Sequence, residues 1–180
     1  MTNFGKISRP GPHSKKDNQE FGKAKKEFVI CMDCGSCYFD KSWHHALDEE
    51  KAGHFKKDKL VKFDLCPACK MGKEKRYEGE LIIKSQIPSA KSQINPKSQY
   101  SKLQTEIKNM IKNSDEQARQ RDPMDRMLWT EEKADGLHVY TSENQLAVKI
   151  GKKLRSSLGK GKLTIKHSRG EDVMRVYFEV

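Results

Sequence analysis

Five cysteines carry the chemistry available to this chain: Cys31, Cys34, Cys37, Cys66 and Cys69. They fall as Cys31-Met-Asp-Cys34-Gly and, after 31 intervening residues, Cys66-Pro-Ala-Cys69-Lys. Two residues between cysteines let a tight turn aim both sulfurs at one point, and two such pairs offer four thiolates to one tetrahedral zinc. Gly35 suits the left-handed backbone often needed after such a turn, and Pro67 stiffens the second turn. Cys34 and Cys37 also form a C-x-x-C pair, so the first knuckle has two registers. Gly35 favours Cys31 with Cys34 and leaves Cys37 as a small buried residue. His44 and His45 are further candidate ligands, but Cys31, Cys34, Cys66 and Cys69 already complete a closed site. A closed site has no position for a reacting water, so it would hold a fold together rather than hydrolyse a substrate. Nothing in the chain indicates secretion, which argues against a disulfide framework. Neither pair has the βαβ setting of a thioredoxin-like redox motif.

The elements that must position these groups follow from composition and periodicity. Residues 1–26 are rich in Gly, Lys, Ser, Asn and Pro and read as a disordered basic tail. Residues 27–83 read as a zinc-ribbon-like domain. In it Phe28-Val29-Ile30 leads into the first knuckle, a helix is expected over about His44–Lys57 with Ser42 as its cap, and a strand over Tyr77–Ile83. Over 84–100 the triplet Lys-Ser-Gln recurs at 84–86, 91–93 and 97–99. Pro88 and Pro96 forbid a coiled coil there, and the stretch reads as a low-complexity linker.

Residues 101–180 read as a two-layer α/β domain. Leu103, Ile107, Met110, Ile111 and Ala118 share one side of a helix over 101–121, which Asp122-Pro123 ends. Met127–Glu132 and Leu137–Thr141 form a hairpin around Ala134-Asp135-Gly136. Ser142 and Gln145 match a capping box before a helix whose apolar line is Leu146, Ile150, Leu154 and Leu158, with Gly159 as C-cap. Leu163–His167 and Val173–Val180 make a last hairpin through Ser168-Arg169-Gly170. Met174, Val176, Phe178 and Val180 then face one way, and Arg175, Tyr177 and Glu179 the other. The fold class is α+β: a small four-cysteine unit followed by a two-layer sandwich, packed as a split βαβ or KH-like arrangement.

Charge points to a polyanionic partner. Lys plus Arg is 36 and Asp plus Glu 25, a net +11, with charged and hydrophobic residues each 34% of the 180 residues. Lys149, Lys152, Lys153 and Arg155 lie on the polar flank of the second helix, and Lys160 and Lys162 in a glycine-flanked loop. Lys166, Arg169, Arg175 and Tyr177 belong to the last hairpin. The cations would position a phosphate backbone without reading sequence, and Tyr177 would stack on an exposed base. The Gly-Lys-Gly-Lys loop lacks the spacing of a P-loop. No apolar run approaches the roughly 20 residues a spanning helix needs.

Beyond these patterns the chain resembles a family. Cys31-Met-Asp-Cys34-Gly, Trp43-His44 and Cys66-Pro-Ala-Cys69 look like the zinc-binding start of the ribosomal large-subunit export adaptor family, which also bears a nonsense-mediated-decay name. Arg121-Asp122-Pro123 through Asp135-Gly136-Leu137-His138-Val139-Tyr140, then Ala147-Val148-Lys149-Ile150-Gly151-Lys152-Lys153-Leu154, is similar to the following small α/β domain of its archaeal members. The resemblance covers about 27–83 and 101–180. It implies binding to the large ribosomal subunit or its rRNA, with ribosomal proteins as neighbours, and a role in subunit maturation. It does not extend to the nuclear-export tail of eukaryotic members. The family usually carries enough cysteines for two ions, and the five here support one.

The expectation is therefore a non-catalytic, zinc-containing, ribosome-associated RNA-binding protein, cytoplasmic and monomeric. Two other classes stay open. One is a zinc-bearing protein-interaction adaptor. The other is a small metal-dependent hydrolase or nuclease using His44, His45 and Asp48.

Overall fold

Short apolar strands flank the cysteine pairs, and longer alternating strands follow them, so the chain builds two separate sheets. The computed structural model describes residues 28–46, 61–84, 96–167 and 172–180. The basic tail at 1–26, most of the helix expected over His44–Lys57, linker residues 85–95 and the Ser168-Arg169-Gly170 turn lie outside the described residues.

The first sheet has the order β3-β2-β1-β4, from β1 (Phe28–Cys31), β2 (Cys37–Phe39), β3 (Ser42–His44) and β4 (Val61–Asp64). β1 pairs antiparallel with β2 and parallel with β4. His44 ends a strand and does not start the expected helix. The reason is local: Asp40 and Lys41 take left-handed φ of 48° and 64°, which is what a two-residue hairpin turn requires. Ser42 is thus a strand residue and caps no helix. Helix α1 (Pro67–Lys73) follows β4.

The larger sheet has the order β6-β7-β5-β9-β8, from β5 (Gly79–Lys84), β6 (Met127–Lys133), β7 (Gly136–Thr141), β8 (Lys162–His167) and β9 (Met174–Glu179). Its central strand, β5, comes from before the linker. Helix α2 (Pro96–Arg121) starts five residues earlier than its apolar pattern, with Pro96 in the first turn, where its missing N–H costs nothing. The third Lys-Ser-Gln copy is therefore helical. Helix α3 spans Asn144–Leu158 and closes at Gly159 in the left-handed region.

The pairing selects the split βαβ arrangement over a KH-like one. β5 and β6 both run antiparallel to β7, which lies between them, and α2 joins them. α3 joins β7 to β8 in the same way, across β5 and β9. β9 is the added strand, inserted parallel to β5. Both helices cover one sheet face, where Leu81, Ile83, Val139, Val176 and Phe178 meet Ile107, Ile111, Leu146, Ile150 and Leu154. Each fully buried aliphatic there contributes about 1.5–3 kcal/mol. Gly151 lets α3 approach the strands closely: a Cβ there would meet Val176 Cγ1 at 2.8 Å.

The expected capping box at 142–145 does not form. Glu143 is the N-cap and its side chain makes no capping bond, while the Ser142 hydroxyl is held by the 124–126 loop.

Leu81, wholly buried at the sheet centre, gives a direct test of this core. Leu81→Ala should destabilise the protein by about 2–5 kcal/mol in urea unfolding. Ile165→Ala, at a residue 41% exposed on the β8 edge, should change stability by about 0.5 kcal/mol or less.

Candidate functional site

The first cysteine pair sits on the turn between β1 and β2. Gly35 N–H donates to the Cys31 carbonyl at 3.0 Å, and Cys31 N–H to the Ser36 carbonyl at 2.8 Å. Gly35 has φ +72°, where a side chain is strained, as its position after the knuckle predicts. The second pair opens α1. Cys66 is the N-cap, Pro67 enters the first turn, and Cys69 N–H donates back to Cys66 Sγ at 3.4 Å. Cys66 N–H reaches across to Cys31 Sγ at 3.2 Å and so ties the two turns together.

The sulfurs of Cys31, Cys34, Cys66 and Cys69 all lie within 4.8 Å of one another, with Cys34 and Cys66 3.7 Å apart. Four sulfurs bound at about 2.3 Å to a tetrahedral ion are about 3.8 Å apart. The four cysteines are thus positioned to bind a metal ion. The register question is answered as well: Cys37 pairs with Ile30 across the β1–β2 ladder and its thiol donates to the Gly35 carbonyl at 3.4 Å. His44 is stacked on Phe39, and its Nε2 lies 2.8 Å from Ser42 Oγ. His45 Nε2 lies 3.3 Å from the Gln120 carbonyl. Neither histidine joins the sulfur cluster, and Asp48 lies outside the described residues.

Arg126 is the residue that spacing did not reveal. It comes from the loop between α2 and β6, is only 7% exposed, and its guanidinium faces three of the four sulfurs. The distances are 3.3 Å to Cys66, 3.5 Å to Cys34 and 3.6 Å to Cys69. Its loop is fixed from several sides. Arg126 N–H donates to Ser142 Oγ, whose O–H reaches the Met124 carbonyl at 2.6 Å. Asp122 accepts from Met124 N–H at 2.8 Å, and Asp115 from Met127 N–H at 2.6 Å. Met124 and Leu128 pack on the cysteine cluster beside Trp43 and Leu65.

Burial pushes the Cys66 thiol far up and the Cys69 thiol up to about 11. Burial also opposes the Cys34 thiolate, but the Ser36 hydroxyl and the Arg126 guanidinium outweigh it and bring Cys34 down to about 6. Burial likewise disfavours charge on Arg126, and the sulfurs of Cys34, Cys66 and Cys69 more than restore it. A bound cation must displace protons from Cys66 and Cys69, so metal affinity falls as pH falls. A divalent ion among four thiolates stays net negative, and Arg126 supplies the buried counter-charge.

The basic residues singled out from sequence do not share one surface. Lys149, Lys152, Lys153 and Arg155 lie on α3, and Lys160 in the loop that follows it. Lys162, Lys166, Arg175 and Tyr177 lie on the sheet face turned away from the helices, since Lys162↔Glu179, Lys166↔Arg175 and Thr164↔Tyr177 are cross-strand partners. Strand alternation sends these side chains to the layer opposite α3. Arg175 is engaged there, its Nε donating to Glu80 Oε2 at 3.1 Å. Arg169 lies outside the described residues. Among protein-family models and curated proteins, none matches this chain.

Cys66→Ser should abolish metal retention and the fold of the β1–β4 unit together, read by elemental analysis and by near-UV dichroism from Trp43. Arg126→Met should keep all four sulfurs yet weaken metal binding about 10- to 100-fold, measured by competition with a chromophoric chelator.

Proposed function

We propose that the protein is a non-catalytic, zinc-loaded RNA-binding protein associated with the large ribosomal subunit, in its assembly or quality control. The observation that carries this reading is the closed four-sulfur centre locked by Arg126. Its ligand set is complete, which leaves no position for a reacting water, and soft tetrahedral thiolates suit zinc. Of the residues an enzyme reading would use, His44 is engaged by Phe39 and Ser42, and Asp48 lies outside the described residues. A reducing compartment such as the cytoplasm keeps such thiols available to metal.

The RNA half rests on charge and on the family resemblance. The chain carries +11, and α3 has Lys149, Lys152, Lys153 and Arg155 with no carboxylate between Asn144 and Leu158. The resemblance to the large-subunit export adaptors narrows the polyanion to rRNA in a large subunit. The protein would bind as a monomer, with ribosomal proteins as its neighbours.

A second reading, the protein-interaction adaptor, has its own observation. Met32 is 65% and Phe63 64% exposed, and both lie near the first knuckle, where Met32 N–H donates to the carbonyl of Asp64, the residue after Phe63. An apolar pair in that position suits a protein surface.

Binding to purified large subunits or rRNA should weaken steeply with salt, the log–log slope reading about 0.7–0.9 per neutralised phosphate. Salt-independent capture that survives nuclease treatment would replace the RNA reading with the adaptor one.

A further inference from the structure

The sheet face away from the helices is a surface of unusual composition. Neither long helix lies on it, while Tyr77 and Lys75, from the segment before β5, pack against its Trp129–Tyr140 end, and Glu80, Ile82, His138 and Tyr140 at its centre are buried among their neighbours. It carries Trp129 from β6, His138 and Tyr140 from β7, Glu80, Ile82 and Lys84 from β5, Arg175 and Tyr177 from β9, and Lys162 and Lys166 from β8, placed together by the pairing register. Trp129 is stacked on Tyr140 with centroids 4.6 Å apart, and Tyr77 packs against both. Lysines stand over the rings: Lys75 lies 4.5 Å from Trp129, Lys133 5.3 Å from Tyr140, and Lys84 and Lys166 5.9 and 5.4 Å from Tyr177.

The acidic groups on this face are mostly spent within it. Glu80 accepts from Arg175 and pairs with His138, which also meets Asp135. Glu131 accepts from Trp129 Nε1 and pairs with Lys133. Glu179 lies opposite Lys84 and Lys162 in the register, and Lys75 and Lys166 stand at the rim beside the rings. Among the described residues no large exposed aliphatic lies here: the exposed large apolar ones are Met32, Phe63 and Ile165, and Ile165 faces the helix side opposite Val176. A protein partner would want aliphatic anchors. Flat rings edged by cations suit bases with their phosphates.

Resting on the RNA-binding reading above, we propose that this face, with Trp129 and Tyr177 half-buried at its margins, is a stacking platform for an unpaired RNA segment. Trp129 and Tyr177 are the two base-stacking positions, and Lys75, Lys84 and Lys166 take the flanking phosphates. The two rings stand three strands apart, about 14 Å across the sheet. A strand crossing it would set down two or three bases. The helix-layer cations Lys149, Lys152, Lys153 and Arg155 lie on the opposite layer and would contact backbone only.

The chain has two tryptophans, Trp129 on this face and Trp43 in the metal unit, so fluorescence reads the platform directly. A 12-nucleotide oligouridylate should quench the zinc-loaded full chain saturably, and Trp129→Phe should remove that quench. Tyr177→Ala should weaken binding, followed by anisotropy of labelled RNA, about tenfold or more, while Tyr177→Phe should keep it within about threefold. Dichroism verifies that each variant is folded. If labelled RNA binds but Trp129 does not respond and Tyr177→Ala binds as the parent does, the platform is overturned and the RNA-binding reading stands. The face then belongs to a protein or to another segment of this chain. If no RNA binds at low salt, both readings fall together.

Discussion

A buried guanidinium ties the two halves of this molecule together. Arg126 is carried by the loop before β6 and ends among sulfurs carried by β1 and α1. A charged group this deeply buried is tolerated only beside compensating charge, and the Cys34 thiolate, favoured by Arg126 and Ser36, supplies it. The dependence runs both ways. The sulfur cluster needs a counter-charge to stay ionised when buried, and Arg126 needs the cluster to remain buried. Ser142, Asp115 and Asp122 hold the loop so that the guanidinium arrives in place. The four-cysteine cluster is therefore also a joint between the small sheet and the large one.

Much of this arrangement is readable from residue order because it rests on local chemistry. A C-x-x-C turn followed by glycine needs nothing distant to declare itself, and the two apolar helix lines and the alternation in β9 follow from periodicity alone. What was not readable depends on long-range pairing. The turn at Asp40-Lys41 has no glycine or asparagine, so the β2–β3 hairpin was invisible, and a helix was expected beginning at His44. Ser142 resembles a cap by position, yet the loop at Met124–Arg126 claims its hydroxyl. Arg126 itself stands in an unremarkable Asp-Arg-Met context, 57 residues from the nearest of its sulfur partners, Cys69. No spacing rule reaches that far.

The basic residues teach a related point. Lysines close in sequence on α3 and β8 look like one patch when written in a line. The sheet separates them, with helix cations on one layer and strand cations on the other. Among the described side chains, aromatic rings accompany the strand cations and not those of α3, so the two basic surfaces differ in chemistry as well as in place.

The insertion of β9 between β5 and β8 has a consequence for the order in which the molecule is made. β5 is synthesised early, yet one of its edges waits for the segment Met174–Glu179 to emerge. Until then β8 has no neighbour in the sheet, since β9 is its pairing strand. Any nascent or clipped chain stopping before Met174 presents open edges on both strands, and such edges invite pairing with other chains. Completion of the larger sheet is thus deferred to the last strand, while the four cysteines and Arg126 are all in hand well before it.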